Sequence, residues 1–149
     1  MPAPEESLAR LYRQTVLEHS RQPHNLGRMA QPDHQASGDN PLCGDRITLY
    51  LREKAGCITE AAFEGTGCAI SLASASMLTD LVPGRPAAEV RRLVRTIMDA
   101  FAGSNGTLPG DLAALGEVRA YPARIRCATL PWKTLDAALD DAGTPVSTE

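Results

Sequence analysis

Three cysteines and one aspartate are the side chains of this sequence that are best placed for chemistry. Cys43 and Asp45 stand two positions apart in the segment NPLCGD, a polar turn that is poorly suited to core packing. Gly44 between them lets the backbone turn tightly, so both side chains can point to one ion. Cys68 and Cys127 each stand at the start of a predicted helix. A thiol at a helix N-terminus loses its proton more easily, because the free N–H groups and the dipole favour an anion.

Together these side chains offer three thiolates and one carboxylate, a set of ligands that suits tetrahedral Zn²⁺. Their spacing alone does not establish a shared site, because the sequence has no CxxC pair and the intervals match no short zinc-finger pattern. Scattered structural thiols therefore stay an alternative at this level. Cys57 opens a predicted strand among apolar neighbours and is expected to be a small buried hydrophobic residue.

Composition excludes several classes of protein. The chain has 149 residues, enough for one domain with one core, and 43% of them are hydrophobic while 4% are aromatic. The formal net charge of −3 argues against nucleic acid or an anionic membrane as the main partner. No segment approaches the roughly 20 apolar residues of a membrane span. The sequence starts without a basic-then-apolar signal segment, which predicts a cytoplasmic location, where four cysteines indicate metal binding or catalysis rather than disulfides.

The elements that position these residues are predicted from hydrophobic periodicity. An amphipathic helix is expected from Ser7 to about Ser20, followed by a long surface loop that extends to Asp45. Residues 46–53 alternate between apolar and polar types, and residues 57–65 are expected to form a return strand, so an antiparallel hairpin is predicted.

The second half of the chain is predicted to be helical. Helices are expected from Gly67 to Pro83, from Pro86 to Phe101, from Leu112 to Pro122, and from about Ala128 to Leu139, with a flexible break over 102–111. Pro131 is placed near the start of the last helix, where its missing N–H costs least, and the tail 144–149 is expected to be frayed. A sheet in front of helices is an α+β arrangement, and no linker divides residues 1–149 into two domains.

Three segments together resemble a known family. NPLCGDRITLYL, FEGTGCAISLASASMLTDLV and RIRCATLPWKTL are similar, in this order, to the three cysteine blocks of the IscU-like iron–sulfur cluster assembly proteins. The opening helix and EHSRQPHNLG resemble the N-terminal segment of that family, so the likeness extends from about Leu8 to Leu139. It implies a SufE/IscU-like fold, a small antiparallel sheet packed against helices, as a single IscU/SufU-like domain over 1–149 with a metal site at one exposed end.

Within the family, three departures favour the SufU branch of zinc-dependent sulfurtransferases over the IscU scaffolds. The scaffold type carries a metal-binding His immediately before its third cysteine, whereas this chain has Arg126, which stays protonated and cannot bind a metal. The chaperone-recognition stretch before that His is not reproduced by YPARIRC. The stretch between the second and third cysteines is also longer than in scaffolds, with FAGSNGTLPGDLAALGEVRAYP as the place of the extra residues.

The resemblance to SufU implies that Cys43, Asp45, Cys68 and Cys127 bind Zn²⁺ and that Cys43 is the sulfur acceptor. It also implies that a His of a SufS-like cysteine desulfurase takes the zinc position of Cys43. The freed thiolate then attacks the persulfide of that enzyme by the displacement known from thiol–disulfide exchange. Cys43 would next deliver the sulfur to a downstream iron–sulfur scaffold.

Two other functions stay open. The chain could be a scaffold that assembles a [2Fe–2S] cluster on Cys43, Cys68 and Cys127, or a protein in which zinc is only structural and Cys43 is inert. Arg124 and Arg126 either steer a carboxylate of the partner and favour thiolates, or are solvated surface charges.

The remaining candidates are expected to have ordinary roles. His19, His24 and His34 fall in or near the first loop, and are interpreted as surface or capping residues rather than ligands. Trp132 is expected to be partly buried by packing near the last helix.

Overall fold

The computed structural model describes residues 4–103 and 106–148. The helices within these ranges are α1 (Pro4–Arg21), α2 (Ala69–Leu81), α3 (Ala87–Gly103), a 3₁₀ helix (Gly110–Ala120) and α4 (Pro122–Leu139). The strands are β1 (His34–Asn40), β2 (Asp45–Lys54), β3 (Cys57–Thr66) and β4 (Val146–Ser147). Residues 104 and 105 of the predicted break lie outside the described residues. No helix in these ranges combines the length and the hydrophobicity that crossing a membrane requires.

The predicted α+β class is confirmed, but the sheet is mixed rather than antiparallel. Its strand order is β3-β2-β1-β4 over the described residues. The hairpin of β2 and β3 is antiparallel as expected, and β1 pairs antiparallel with β2. The short β4 runs parallel to β1, because the chain crosses over through α2, α3 and α4 before it returns to that edge. The expectation of a frayed tail is therefore wrong at Val146 and Ser147.

The first strand is the main error of the sequence-based prediction, which placed this segment in a loop. The sequence HQASGDN is rich in residues that are depleted in strands, so local propensity does not reveal it. Strand β1 forms because it pairs on both sides and buries alternate residues, among them Ala36, Gly38 and Asn40. A Cβ at Gly38 would lie 2.2 Å from Oγ1 of Thr134, so glycine is what allows α4 to approach this closely.

The core lies between the inner face of the sheet and the helices. Ile47, Leu49 and Leu51 alternate inward along β2 as predicted, and each is at most 1% exposed. Phe63 from β3 and Trp132 from α4 are also fully buried, so Trp132 contributes more to the core than its expected partial burial.

Helix α4 begins earlier than predicted. Pro122 is its first residue rather than a stop, because the fixed φ of proline suits the first turn of a helix. Pro131 consequently lies in the helix interior instead of near its start. Its missing N–H leaves the carbonyl of Cys127 without the usual intrahelical partner.

We expect His34 to make the stability of the sheet depend on pH. Its Nδ1 lies 2.8 Å from Oδ1 of Asp141 and its Nε2 lies 3.2 Å from Oε1 of Glu53. Burial lowers the pKa of His34, but the contacts with Asp141 and Glu53 outweigh burial and raise the pKa above its ordinary value of 6.5. The folded protein thus binds this proton more tightly than the unfolded chain does. The stabilisation is fully present below about pH 6.5 and is lost as the pH rises through the raised pKa.

The measurement is urea unfolding of the wild type and of His34→Gln at pH 5.5 and pH 8.5. The free energy of unfolding should fall in the variant by up to about 1 kcal/mol at the lower pH and by less at the higher pH. A difference that grows with pH would contradict the contribution of protonated His34.

Candidate metal centre

Three of the four predicted site residues, Cys43, Asp45 and Cys127, meet at one end of the sheet, and Cys68 lies beside them without belonging to this group of three. Sγ of Cys43 lies 3.3 Å from Sγ of Cys127. One ligand atom from each of Cys43, Asp45 and Cys127 lies within 4.8 Å of the other two. Sγ of Cys68 lies 4.0 Å from Oδ2 of Asp45. Residues from three separate parts of the chain therefore form one cluster.

The turn between β1 and β2 presents Cys43 and Asp45 to this cluster. The backbone N–H of Cys43 donates to the carbonyl of Asn40 over 3.2 Å, and Gly44 adopts a φ of +69°, which a side chain would disfavour. Asp45 is the first residue of β2 and is fully buried, whereas Cys43 at the turn is exposed. One of the two ligands is thus anchored in the sheet and the other stands in solvent.

Cys68 stands at the start of α2, as the sequence predicted, although its side chain makes no capping hydrogen bond. Its backbone is extended, with φ −75° and ψ 166°, and its N–H donates to Oδ1 of Asp45 over 2.8 Å. The hydroxyl of Ser71 donates to the carbonyl of Cys68 over 3.1 Å. The carboxylate of Asp45 therefore accepts a hydrogen bond at the N-terminal end of α2.

Cys127 differs from the prediction, since it lies in the second turn of α4 and not at the helix start. The free N–H groups of that helix consequently do not activate it. Burial raises the pKa of the Cys127 thiol well above its usual range, and hydrogen bonds with Cys43, Asp45 and Cys68 raise it further. In the absence of a cation this thiol keeps its proton.

Asn40 is a member of the cluster that the sequence analysis missed. Its Nδ2 donates to Oδ2 of Asp45 over 3.3 Å and to Sγ of Cys127 over 3.4 Å. Its Oδ1 is buried and has no hydrogen-bond partner among the described residues. The only signal in the sequence is its place before Pro41 in NPLCGD, which indicates a turn rather than an inward-facing amide.

The surface around Cys43 is partly apolar. Leu42, beside it in the turn, is 64% exposed, and Tyr121, which precedes α4, is 63% exposed. Arg124 and Arg126 on the first turns of α4 are also exposed. The turn between β1 and β2 and the start of α4 thus present an accessible thiol, large apolar side chains and cationic side chains.

The fourth cysteine lies away from this cluster. Cys57 begins β3 while Cys68 follows the end of that strand, so about 30 Å of strand separates them. Cys57 is half-buried rather than buried as expected, because it stands directly after the hairpin turn, beside Pro86. All four cysteines are free thiols in the structure.

The histidines lie outside the cluster. His24 is exposed and His34 is half-buried, but His19 is only 4% exposed. The interpretation of His19 as a surface or capping residue is therefore wrong. It is buried because α1 packs against α2 and the 3₁₀ helix, which supply a hydroxyl and a carboxylate to its ring.

The cluster fits a zinc ion by the chemistry of its donors. It offers three sulfurs and one carboxylate, which bind Zn²⁺ in tetrahedral geometry. With Zn–S bonds of roughly 2.3 Å, two tetrahedral sulfurs stand about 3.8 Å apart, so Cys43 and Cys127 need to separate only slightly from 3.3 Å. The protonated Cys127 has to lose its proton, which couples metal binding to proton release.

Gly67 is expected to be essential to this geometry. A Cβ at this position would lie 2.5 Å from Oδ1 of Asp45 and 2.7 Å from Oγ of Ser71. Gly67→Ala should therefore displace the carboxylate and lower the free energy of unfolding by about 1–3 kcal/mol. Thermal unfolding and zinc binding by chelator competition measure the two effects. Gly143→Ala is the matched control, because no atom lies within 4 Å of a Cβ there; equal behaviour of both variants would contradict the prediction.

The chain is similar to known proteins over most of its length. Residues 11–141 match the family described as NifU-like N terminal domain. The chain is 38% identical over 133 residues to the zinc-dependent sulfurtransferase SufU of Bacillus subtilis (strain 168). The aligned region covers 87% of this chain and 90% of that protein. It is 33% identical over 138 residues to the iron–sulfur cluster assembly scaffold protein IscU of Thermotoga maritima. Here the aligned region covers 91% of this chain and 96% of that protein.

A solved structure shows the same fold. The N-terminal part of a NifU-like protein from Brucella abortus superposes with a TM-score of 0.79 at 28% sequence identity, covering 90% of this chain and 95% of that one. The resemblance seen in the three cysteine blocks is thereby confirmed. The chain belongs to the family of NifU-like N-terminal domains, that of the SufU and IscU proteins of iron–sulfur cluster assembly.

Proposed function

We propose that this protein is a zinc-dependent sulfurtransferase that accepts persulfide sulfur from a cysteine desulfurase onto Cys43. The observation that carries the proposal is the exposure of Cys43 within a cluster whose other ligands are less accessible. The similarity to a protein named zinc-dependent sulfurtransferase SufU supports it. Iron–sulfur cluster assembly is the process that this sulfur would serve, through a downstream scaffold.

The proposed zinc ligands are Cys43, Asp45, Cys68 and Cys127. Zinc bound there would hold the thiols as thiolates at neutral pH, including the buried Cys127. Asp45 serves as the fixed ligand, because the N–H of Cys68 and the amide of Asn40 hold its two oxygens. The protein thus keeps one half of the site rigid.

Cys43 performs the transfer in this proposal. Its thiolate attacks the terminal sulfur of the persulfide on the desulfurase, and a new S–S bond forms on Cys43. The S–S bond of the donor breaks, and its electron pair stays on the cysteine sulfur of the desulfurase. The exposed turn with Gly44 gives Cys43 the freedom to move out for this step.

The partner proposed for this surface is a cysteine desulfurase. The exposed Leu42 and Tyr121 provide apolar area for docking, since aromatic side chains are enriched at interfaces. Arg124 and Arg126 are available to carboxylates of the partner, although both also fit simple solvated surface charges.

A scaffold that binds a [2Fe–2S] cluster on the same cysteines is the second candidate. The 33% identity to the IscU scaffold of Thermotoga maritima favours it. Arg126 opposes it, because it stands before Cys127 as an exposed guanidinium that cannot bind a metal. A zinc site that is structural only, with Cys43 inert, is the third candidate.

The decisive experiment follows labelled sulfur. Zinc-loaded protein is mixed with a cysteine desulfurase and isotope-labelled cysteine, and peptide mass spectrometry locates the persulfide. We expect label on Cys43, faster turnover of cysteine and retention of zinc. No label and no acceleration, together with a cluster formed when iron is supplied, would overturn the proposal in favour of the scaffold.

A further inference from the structure

A second group of metal-binding side chains lies outside the cysteine cluster. One ligand atom from each of His19, His24 and Asp80 lies within 4.8 Å of the other two. The two imidazole rings have centroids 4.5 Å apart. Asp80 stands near the C-terminal end of α2 and Cys68 stands at its start, so about 18 Å of helix separates the two groups. We propose that His19, His24 and Asp80 form a second site, independent of the first, for one divalent first-row metal ion.

His19 is oriented for such a role by its neighbours. It is 4% exposed, and its Nε2 lies 2.9 Å from Oδ2 of Asp111. A carboxylate can only accept, so Nε2 carries the hydrogen and Nδ1 keeps the lone pair. Nδ1 lies 2.7 Å from the hydroxyl of Ser76, whose oxygen also accepts the backbone N–H of His24 over 2.8 Å, so a metal ion at Nδ1 has to displace this hydroxyl. A histidine held by a carboxylate through its other nitrogen is the usual arrangement at metal sites.

His24 and Asp80 supply the accessible half of the group. Nδ1 of His24 lies 2.5 Å from Oδ2 of Asp80, so the two side chains are hydrogen-bonded. Oδ1 of Asp80 accepts a hydrogen bond from Nδ2 of Asn25 over 3.2 Å, which orients the carboxylate. The side chains of His24 and Asp80 are 53% and 43% exposed, so an ion can reach them from solvent.

The ion would take the place of the hydrogen bond between Nδ1 of His24 and Oδ2 of Asp80. Ligand atoms about 2.0–2.1 Å from a tetrahedral metal stand roughly 3.4 Å apart, so His24 and Asp80 have to separate by about 1 Å. Their exposure leaves room for this movement. Two imidazoles and one carboxylate suit Zn²⁺ or Fe²⁺ and leave a position for water, whereas Mg²⁺ prefers oxygen ligands alone.

The test is calorimetric titration of Zn²⁺ into protein whose cysteine site already holds one equivalent of zinc. We expect a second equivalent to bind, and Mg²⁺ not to bind. Co²⁺ added in place of the second equivalent should give visible absorption without the thiolate charge-transfer band that cysteine ligands would produce. His24→Gln and Asp80→Asn should each weaken the second equivalent more than about tenfold, because even outer-shell partners cost 10- to 100-fold.

His34→Gln is the matched control. His34 also lies between two carboxylates, those of Glu53 and Asp141, but it does not belong to the group. The second equivalent should bind to this variant as it does to the wild type. The proposal is overturned if no second equivalent binds, if it binds unchanged to His24→Gln and Asp80→Asn, or if His34→Gln loses it equally. Zinc retained at the cysteine site in every variant shows that each variant is folded.

Discussion

Cys43→Ser is expected to reduce the transfer of labelled sulfur to this protein to background, with no relocation of the label to another cysteine. Cys127 cannot substitute, because it is fully buried and its pKa is raised by that burial and by hydrogen bonds within the cluster. Cys68 is half-buried behind the turn, with its N–H held by Asp45. The measurement is peptide mass spectrometry after incubation with desulfurase and labelled cysteine, together with the rate of cysteine turnover.

The matched control for this loss is Cys57→Ser. Cys57 lies at the far end of β3, so its replacement should leave both the label on Cys43 and the turnover unchanged. Cys43 is exposed, and its replacement should change the free energy of unfolding of the zinc-free protein by less than about 0.5 kcal/mol. Persulfide found on Cys68 or Cys127 of the Cys43→Ser variant in undiminished amount would show that Cys43 is not the required acceptor.

Asp45→Asn is expected to weaken zinc binding by more than about 100-fold, because even residues that only support a metal ligand contribute 10- to 100-fold. The substitution removes the negative charge from the cluster. It also places an amide N–H₂ against a donor, since the two carboxylate oxygens accept from Cys68 N–H and Asn40 Nδ2. One buried polar contact becomes unsatisfied, which should lower the free energy of unfolding by about 1–3 kcal/mol. Chelator competition measures the affinity.

Asp39→Asn provides the comparison for this variant. Asp39 lies on β1 beside Asn40 and carries the same charge, but it does not belong to the metal-binding group. Its replacement should leave zinc affinity within about twofold of the wild type if long-range charge is screened by salt. If Asp45→Asn keeps the affinity of the wild type, three sulfurs and water would suffice as ligands and the proposed role of Asp45 would be refuted.

The elements that were predictable from the sequence are those with strong local patterns. Alternation along β2, the turn at Gly56 and the start of α2 at Cys68 all agree with the structure. Each depends on contacts between residues near in sequence. Such contacts can be predicted from the period of the hydrophobic residues and from the residue types found in turns. The pairing of Cys43 with Asp45 across Gly44 belongs to the same class, since one tight turn positions both.

The errors share a different physical origin. Strand β1 has residues of low strand propensity and exists because β2 and β4 pair with it. The early start of α4 moves Cys127 from the helix end into the core, and a buried thiol then titrates in the opposite direction from a thiol at a helix N-terminus. A short segment of the sequence predicts neither outcome, because packing between distant segments determines both.

The amino-acid sequence by itself determined the ligand types, the turn that presents Cys43 and the family resemblance of the three cysteine blocks. Only the tertiary structure decided which side chains meet. It brought Asn40 into the cysteine cluster and assembled His19, His24 and Asp80 at the other end of α2. The side-chain chemistry belongs to each residue, and its local backbone conformation depends on residues near it in sequence. The convergence of remote residues instead follows from burial of the whole core.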